Sequence, residues 1–289
     1  MTPTNRPITS REYKLMLNTE RFRDRRAGAG LFWKLLTFLV ENQGNEVISD
    51  QVDLEKDAEK TRTTWYLDTP GYELQRANIT LRVREEPGAD KPYKVTLKFR
   101  APDRYTAAGC DVRCTQEVKD DDVKFEEDVV PPFASKFSYS VSFKSKDRPE
   151  PETMADAVAL FPGLATFDIP DRTPLRVVNG FRAHEVAHFV GKLKLDKMPT
   201  ERSVDKLPDF VVKAALNHWY LRPDESDYPL VTEFSFGFDA NSQKDDERLE
   251  MFPPTVVAGA NRLFRDVQNQ AGWLAQFGST KTAYAFEVL

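Results

Sequence analysis

Two-residue alternation of apolar and charged side chains is the feature that most limits what this 289-residue chain can fold into. In residues 91–100, KPYKVTLKFR, the odd positions from 93 onward are apolar, and the even positions carry the cations Lys94, Lys98 and Arg100. Successive side chains of a strand point to opposite faces, so this segment predicts a β-strand with one apolar face and one cationic face.

The same alternation occurs in five further segments: 10–17, 78–86, 123–130, 187–196 and 230–238. An antiparallel sheet with one solvated face is the common outcome of such patterns. Here, however, several amphipathic segments also need an apolar surface to cover. If helices pack on the apolar faces, the charged faces must meet one another. We therefore expect an α+β fold in which the sheet curls into a barrel with a polar lumen.

Helical spacing of apolar residues appears in four segments, and one Pro-Pro pair marks a helix start. The predicted helices cover about 31–39, 154–161, 204–219 and 256–267. The chain contains no internal repeat, so we expect one domain over 1–289 with a C-terminal helical segment over about 243–275.

Charge and apolar content exclude several classes of protein. The net charge is −5 with a pI near 5.5, which argues against a general nucleic-acid binder. A basic cleft is still compatible, because local potential and net charge are separate quantities. The longest apolar segment, LFWKLLTFLV, is about half the length of a membrane span and contains Lys34. We expect a cytoplasmic protein with no membrane partner and no specific nucleic acid.

The stretch HEVAH, residues 184–188, matches the zinc-protease pattern H-E-x-x-H. That pattern needs a helix, so that both histidines share one face, and a third ligand. Strand-like alternation takes over from Ala187, and Gly191 would weaken a helix. We interpret the match as chance and expect His184 and His188 on a barrel strand, with His184 facing the lumen.

Residues 65–86, WYLDTPGYELQRANITLRVREE, carry the most specific motif: an aromatic residue, Asp-Thr-Pro, a spacer, then Leu-Arg-x-Arg. This block resembles the signature of the CYTH family, the triphosphate tunnel metalloenzymes, which include class IV adenylate cyclase and thiamine triphosphatase. The resemblance implies an eight-stranded antiparallel tunnel that binds a triphosphate together with Mg²⁺ or Mn²⁺.

Weaker similarities extend over most of the chain, through SREYK, YKVTLKFR, VKFEED, RAHEVAHFVGKLKLD, VTEFSF and STKTAYAF. The phosphate-binding residues that the resemblance implies are Lys14, Arg82, Arg84, Lys94, Lys98, Arg182, Lys192, Lys194 and Lys281. The implied metal ligands are Glu12, Glu126, Asp128 and Glu233. The implied catalytic residues are Glu12, Lys14 and Glu126.

Two serines depart from the family pattern. Ser10 stands where a first glutamate is expected, and Ser235 stands where a second acidic residue is often found. Both changes remove expected metal ligands. The segment around Arg113, Thr115 and Glu117 is a rival for the strand assigned to 123–130.

Three functions follow from the resemblance and these departures. The first is metal-dependent hydrolysis of inorganic triphosphate or of an organic triphosphate, such as a nucleotide or a thiamine derivative. The second is a non-catalytic polyphosphate- or nucleotide-binding module, which the two serines favour. The third is cyclisation of ATP, which no residue specifically selects.

Overall fold

A computed structural model describes residues 6–49, 59–149, 151–195, 211–221, 229–240, 252–275 and 280–287. In these ranges eleven strands form one sheet. The strands are β1 (Ser10–Leu17), β2 (Glu46–Ser49), β3 (Glu59–Asp68), β4 (Ile79–Glu85), β5 (Tyr93–Ala101), β6 (Val123–Val130), β7 (Ala134–Ser145), β8 (Arg176–Val177), β9 (Ala183–Lys194), β10 (Val212–Tyr220) and β11 (Val231–Asp239).

Nine of the described strands close into a barrel in the order β9, β10, β11, β1, β6, β7, β5, β4 and β3, because β3 also pairs with β9. Strands β2 and β8 are additions at β9 and β3. The α+β barrel is confirmed, but the prediction of eight antiparallel strands is wrong, since β1 and β6 run parallel. A closed ring of purely antiparallel neighbours needs an even number of strands, so a ninth strand requires a parallel pair.

Six α-helices accompany the described part of the sheet. They are α1 (Arg25–Asn42), α2 (Glu73–Arg76), α3 (Arg104–Gly109), α4 (Met154–Leu160), α5 (Pro254–Gln268) and α6 (Lys281–Glu287). The helices predicted over 31–39, 154–161 and 256–267 are confirmed. The helix predicted over 204–219 is wrong in its described part, which is β10; residues 204–210 lie outside the described ranges, as do 243–251 of the C-terminal segment.

Helices α1 and α5 cover the apolar outer face of β1 and its neighbours. Phe32 of α1 packs edge-on against Phe234 of β11, with ring centroids 4.8 Å apart. The Tyr13 ring stacks on Phe236 at 4.8 Å, and its hydroxyl donates to Oδ1 of Asn261 on α5. Burial of this face stabilises the fold and leaves the polar face of each strand pointing into the barrel.

A second apolar cluster covers the opposite wall, formed by β4, β5 and β7. Val83, Leu97 and Val141 from these strands pack in one cluster with residues of α3 and α4, including Ala107 and Met154. Because both walls bury their apolar faces under helices, the charged faces of facing strands meet inside. The polar lumen predicted from alternation is therefore present.

Helix α6 packs at the end of the barrel where β3 and β10 end and where β9 and β11 begin. Its residues Ala285 and Phe286 join Tyr66 of β3 and Trp219 of β10 in a third apolar cluster. The rings of Tyr66 and Phe286 lie 5.9 Å apart. This contact covers one end of the barrel and sets the first residue of α6, Lys281, at the edge of the lumen.

The Asp-Thr-Pro motif organises the turn between β3 and β4. The buried carboxylate of Asp68 accepts hydrogen bonds from the backbone N–H groups of Thr69, Leu74 and Gln75. The Thr69 hydroxyl accepts from the N–H of Glu73. Together they satisfy the free donors at the start of α2, which otherwise lack partners. The motif therefore sets the direction in which β4 enters the barrel.

No helix within the described residues combines the length and apolar character that crossing a membrane would require.

Candidate functional site

The lumen contains a cavity of about 310 Å³ with a strongly basic lining. Ten lysines and arginines line it against five aspartates and glutamates. The whole chain carries a net charge of −5, so the lumen has the opposite sign to the molecule. The cations are Lys14, Arg62, Arg82, Arg84, Lys94, Lys98, Arg100, Lys124, Lys136 and Lys281.

Strand periodicity explains why these cations converge. On β5 the even positions 94, 96, 98 and 100 all line the cavity, whereas Val95 and Leu97 are buried on the outer face. The cross-strand register then places Lys94 of β5 opposite Arg84 of β4, and Thr96 opposite Arg82. Like charges on directly opposed residues are unfavourable in a sheet unless a counter-charge is present.

The carboxylates on one side of the cavity are each paired with a cation. Lys98 Nζ lies 2.9 Å from Glu126 Oε2, and Lys281 Nζ lies 2.9 Å from Glu233 Oε1. Lys14 Nζ contacts two carboxylates, Glu12 at 2.9 Å and Asp128 at 2.8 Å.

These pairs determine the protonation states on the acidic side. Burial alone would lower the pKa of Lys14, but Asp128, Glu12 and Glu233 outweigh it and raise that pKa above its usual value. Burial alone would likewise raise the pKa of Asp128, and the surrounding cations, led by Lys14, hold it well below its usual value. Both groups are therefore charged at neutral pH.

The arginines on the other side have fewer counter-charges. Arg62, Arg82 and Arg84 line the cavity from adjacent strands, and Glu185 is the carboxylate that faces them. Burial, followed by the charge of Arg82, lowers the pKa of Arg84 to about 9. The Nε–H of Arg82 and that of Arg84 are buried and have no hydrogen-bond partner. A bound anion would supply the missing negative charge.

The two departures from the family pattern lie on the polar face of the barrel. The Ser10 hydroxyl donates to Oε1 of Glu126 at 3.2 Å, so it supports a carboxylate rather than adding one. Ser235 is the register partner of Lys14 across β1 and β11 and is buried. Both positions keep the lumen polar but contribute no negative charge.

Most of the predicted site residues are brought together. The cavity lining contains Glu12, Lys14, Arg82, Arg84, Lys94, Lys98, Glu126, Asp128, Glu233 and Lys281. Their roles in binding, catalysis and metal coordination stay predictions.

Three predicted phosphate-binding residues lie outside the cavity lining. The guanidinium of Arg182 lies over the Trp65 ring at 4.4 Å, on the outer side of the barrel wall. Lys192 follows Gly191, where the β9–β10 pairing shifts its register, and its side chain is exposed. Lys194 pairs with Glu46 of β2, beyond the closed part of the barrel. We therefore exclude these three from the candidate site.

The HEVAH stretch lies on β9, so the helix that a zinc protease would need is absent there. Glu185 of this stretch points to the lumen, since it contacts Arg62 and Arg84. By alternation His184 and His188 point outward, and the predicted lumenal position of His184 is wrong. The rival segment around Arg113 is also outside the barrel, where Arg113 pairs with Asp111.

Several cavity residues were missed in the sequence. Arg100 was expected on the cationic face of its strand but was not assigned to the site. Lys136 shares the parity of the serines of β7, and the alternation of Phe137, Tyr139, Val141 and Phe143 with these serines would have identified that strand. Arg62 lies in EKTRTT, where no apolar alternation marks a face. Asp122, which pairs with Lys94 at 2.8 Å, precedes its strand and carries no pattern at all.

Carboxylate oxygens are the type of ligand that Mg²⁺ prefers, and five carboxylates line the cavity. Within the described ranges no three His, Cys, Asp or Glu side chains form a group that could hold a metal ion by themselves. Mg²⁺, however, is usually bound by one or two carboxylates together with substrate phosphates and water. Glu12 and Asp128 converge on the Lys14 ammonium, so they offer two oxygen ligands beside the cavity.

Comparison with known proteins gives no match to a protein-family model and none to a curated protein. Solved structures do match along most of the chain. A candidate adenylyl cyclase from Hippeastrum, described as having a dominant triphosphatase activity, is 11% identical with a TM-score of 0.44, covering 97% of this chain and 96% of its own.

Two bacterial structures give similar results. A candidate adenylate cyclase from Bacillus halodurans is 11% identical with a TM-score of 0.39, over 96% of this chain and 99% of its own. One from Vibrio parahaemolyticus is 12% identical with a TM-score of 0.32, over 96% and 98%. All three are named as candidate adenylyl or adenylate cyclases. At such identities and TM-scores they carry no inference about the activity of this chain.

Proposed function

We propose that this protein binds a triphosphate-bearing small molecule in the barrel and hydrolyses it with Mg²⁺ or Mn²⁺. The observation that carries this proposal is the excess of cations in a partly enclosed lumen: ten against five carboxylates in the lining. In such a space screening by water is weak, so fixed charges stabilise a polyanion more than they would on an open surface.

The arginines and lysines have different parts in this proposal. Guanidinium groups such as those of Arg82 and Arg84 give planar, two-pronged contacts to phosphate oxygens, whereas lysines act as point charges. Hydrolysis transfers the terminal phosphoryl group to water, breaks its bridging P–O bond and leaves the rest of the substrate with the added negative charge. Cations along the cavity stabilise that charge on the leaving oxygen.

Glu12 and Asp128 would hold the metal ion in this proposal, with Glu126 and Glu233 as further candidate ligands. When bound, the ion would polarise the phosphate oxygens as a Lewis acid and make a coordinated water more acidic. The chain's own part is to orient the phosphates, and Lys14, which touches both Glu12 and Asp128, would move to a phosphate oxygen when the carboxylates bind the ion.

Cavity size restricts the substrate. A volume of about 310 Å³ is at the lower end of small-molecule pockets. It accommodates a short phosphate chain, and an organic group would extend out of the cavity. The proposed substrates are therefore inorganic triphosphate and organic triphosphates held by their phosphate end.

A binding module without turnover is the second candidate. It is favoured by Ser10 and Ser235, which replace expected metal ligands, and by the pairing of Glu126 and Glu233 with lysines. Cyclisation of ATP has no comparable support in the geometry.

Phosphate release from a panel of substrates tests the proposal. The panel is triphosphate, longer polyphosphate, ATP, GTP and thiamine triphosphate, each with Mg²⁺ and with Mn²⁺. Turnover should occur and should fall sharply in Lys94→Ala and Glu126→Ala. Lys146→Ala is the matched control, because Lys146 is exposed and pairs with Asp90 outside the cavity. Tight binding with no turnover under either ion would favour the binding module, and unchanged turnover in both cavity variants would refute the proposed site.

A further inference from the structure

Glu185 of β9 is a fully buried carboxylate at the wall of the barrel. Its side chain has 0% exposure. Burying a charge without partners is very unfavourable, so its surroundings must compensate for the lost hydration. The resemblance of this strand to the family concerns its basic residues. No proposed catalytic or metal-binding role includes Glu185.

Four side chains from three elements surround this carboxylate. Its Oε1 accepts a hydrogen bond from Arg62 at 2.5 Å, and its Oε2 accepts one from the Thr64 hydroxyl at 2.9 Å, both on β3. Arg84 of β4 lies 3.9 Å from Oε2, and Lys281 of α6 lies 3.8 Å from Oε1. The three cations all line the cavity.

The partners of Glu185 keep it ionised. Burial alone would raise its pKa, but Lys281, Arg84 and Arg62 outweigh burial and hold the pKa well below its usual value. The cations in turn depend on it, because Arg84 also faces the like charges of Arg82 and Arg62. Glu185 is thus the negative charge around which this group of cations is arranged.

We propose that Glu185 is a positioning residue and an internal counter-charge of the polyphosphate site. Its carboxylate fixes the direction of Arg62 through a hydrogen bond, lies within ion-pair distance of Arg84 and Lys281, and competes with a bound polyanion for all three. This inference rests on the proposed function, because it assigns Glu185 a part in the same site.

The two effects of this carboxylate act in opposite directions. Its negative charge repels the ligand, so replacing it with a neutral isostere should tighten polyanion binding. Its hydrogen bond orders Arg62 and its charge attracts Arg84 and Lys281, so the same change should misplace these cations and slow turnover. For binding the charge effect is the larger one, because it acts on every phosphate in a poorly screened cavity.

The test is calorimetry with inorganic triphosphate and no divalent ion, so that binding is measured without turnover. Glu185→Gln should bind triphosphate about tenfold more tightly than the wild type, as removal of one nearby unit charge predicts. With Mg²⁺ or Mn²⁺ present, its kcat should fall while KM falls or stays constant. A residue that only supported the fold would not tighten binding.

Glu127→Gln is the matched control. Glu127 is also buried and also paired with an arginine, Arg11 at 2.7 Å, but it lies on the outer face of β6. It should lose stability without any change in affinity for triphosphate. If Glu185→Gln does not fold, the same step is measured between Arg62→Gln and Arg62→Gln/Glu185→Gln, since the double variant removes both members of the shortest ion pair and keeps the net charge of the group unchanged.

The outcomes separate the two proposals. Tighter binding in Glu185→Gln but not in Glu127→Gln supports the counter-charge role, and a lower kcat without a higher KM in Glu185→Gln alone supports the positioning role. Wild-type binding with equal or weaker affinity in Glu185→Gln overturns this inference and leaves the proposed function standing. A wild-type protein that does not bind triphosphate overturns both.

Discussion

The ammonium of Lys14 lies 2.8 Å from Oδ1 of Asp128 and joins β1 to β6, the parallel strand pair of the barrel. The Asp128 side chain is 3% exposed and that of Lys14 is 18% exposed, so the pair is largely shielded from water. Glu12, the register partner of Asp128, contacts the same ammonium. This ion pair therefore links the side chains of β1 and β6 at their parallel pairing, the seam that the odd number of strands creates.

Removing Lys14 should destabilise this seam. Lys14→Met leaves Glu12 and Asp128 facing one another, with Arg100 still 3.2 Å from Asp128. Loss of one partner of a buried pair typically costs about 3–5 kcal/mol, and the remaining arginine reduces this to about 2 kcal/mol. Urea unfolding measures the difference.

Lys213→Met is the control for that substitution. Lys213 and Asp239 form an exposed contact of 3.9 Å on neighbouring strands. Exposed pairs contribute at most about 1 kcal/mol, so this variant should unfold close to the wild type. Equal losses of unfolding free energy in the two variants would contradict a stabilising role of Lys14 at the seam.

The buried His218 should make stability depend on pH. Burial, followed by the nearby His188, lowers the pKa of His218 to about 3, whereas an unfolded histidine titrates near 6.5. Above about pH 6.5 His218 is neutral in both the folded and the unfolded state, so its titration does not change the free energy of unfolding. As the pH falls from about 6.5 towards 3, only the unfolded state takes up the proton, so stability is lost.

His218→Gln should remove this part of the pH dependence. Between pH 7 and pH 5 the free energy of unfolding of the wild type should fall about 2 kcal/mol further than that of the variant. Protonation of Glu126 and Asp128, whose pKa values are lowered in the folded protein, also reduces the stability as the pH falls, but at more acidic pH. Denaturant titrations at several pH values measure this difference. Equal losses of unfolding free energy in both proteins would refute the assignment of this pH dependence to His218.

Asp68 should be structural although it belongs to the most specific motif. Asp68→Ala removes the acceptor of three backbone N–H groups and should cost about 2 kcal/mol of stability, by analogy with lost helix caps and unpaired donors. Asp103→Ala removes an exposed cap at Thr106 and should cost less. A thermal scan compares the two, and a smaller effect at Asp68 would contradict the buried capping role.

The barrel could be predicted from the sequence wherever one face was apolar. In β1 and β5, Tyr13 and Leu97 alternate with polar residues, and the outer face is buried as expected. In β10 the segment Val212–Tyr220 also fits helical spacing through Ala214 and its neighbours, and pairing with β9 and β11 decides for a strand. Such tertiary pairing is invisible to local periodicity.

Residues of the candidate site could also be predicted only where the strand showed a clear alternation. Lys98 and Glu126 follow from parity, but Arg62 and Glu185 do not. Each lies where the neighbouring residues give no contrast between faces, and Glu185 was concealed in a stretch that matched another motif. The number of strands could not be derived either, because the β3–β9 closure joins residues more than a hundred positions apart.

Calorimetry of inorganic triphosphate with Arg84→Gln and Arg182→Gln tests the central claim most directly. Arg84 lines the lumen, whereas Arg182 stacks on Trp65 outside it. The wild type should bind, Arg84→Gln should lose at least about tenfold in affinity through a lost charge-assisted contact, and Arg182→Gln should bind like the wild type. Absence of wild-type binding, or an equal loss in both variants, would contradict a polyanion site inside the barrel.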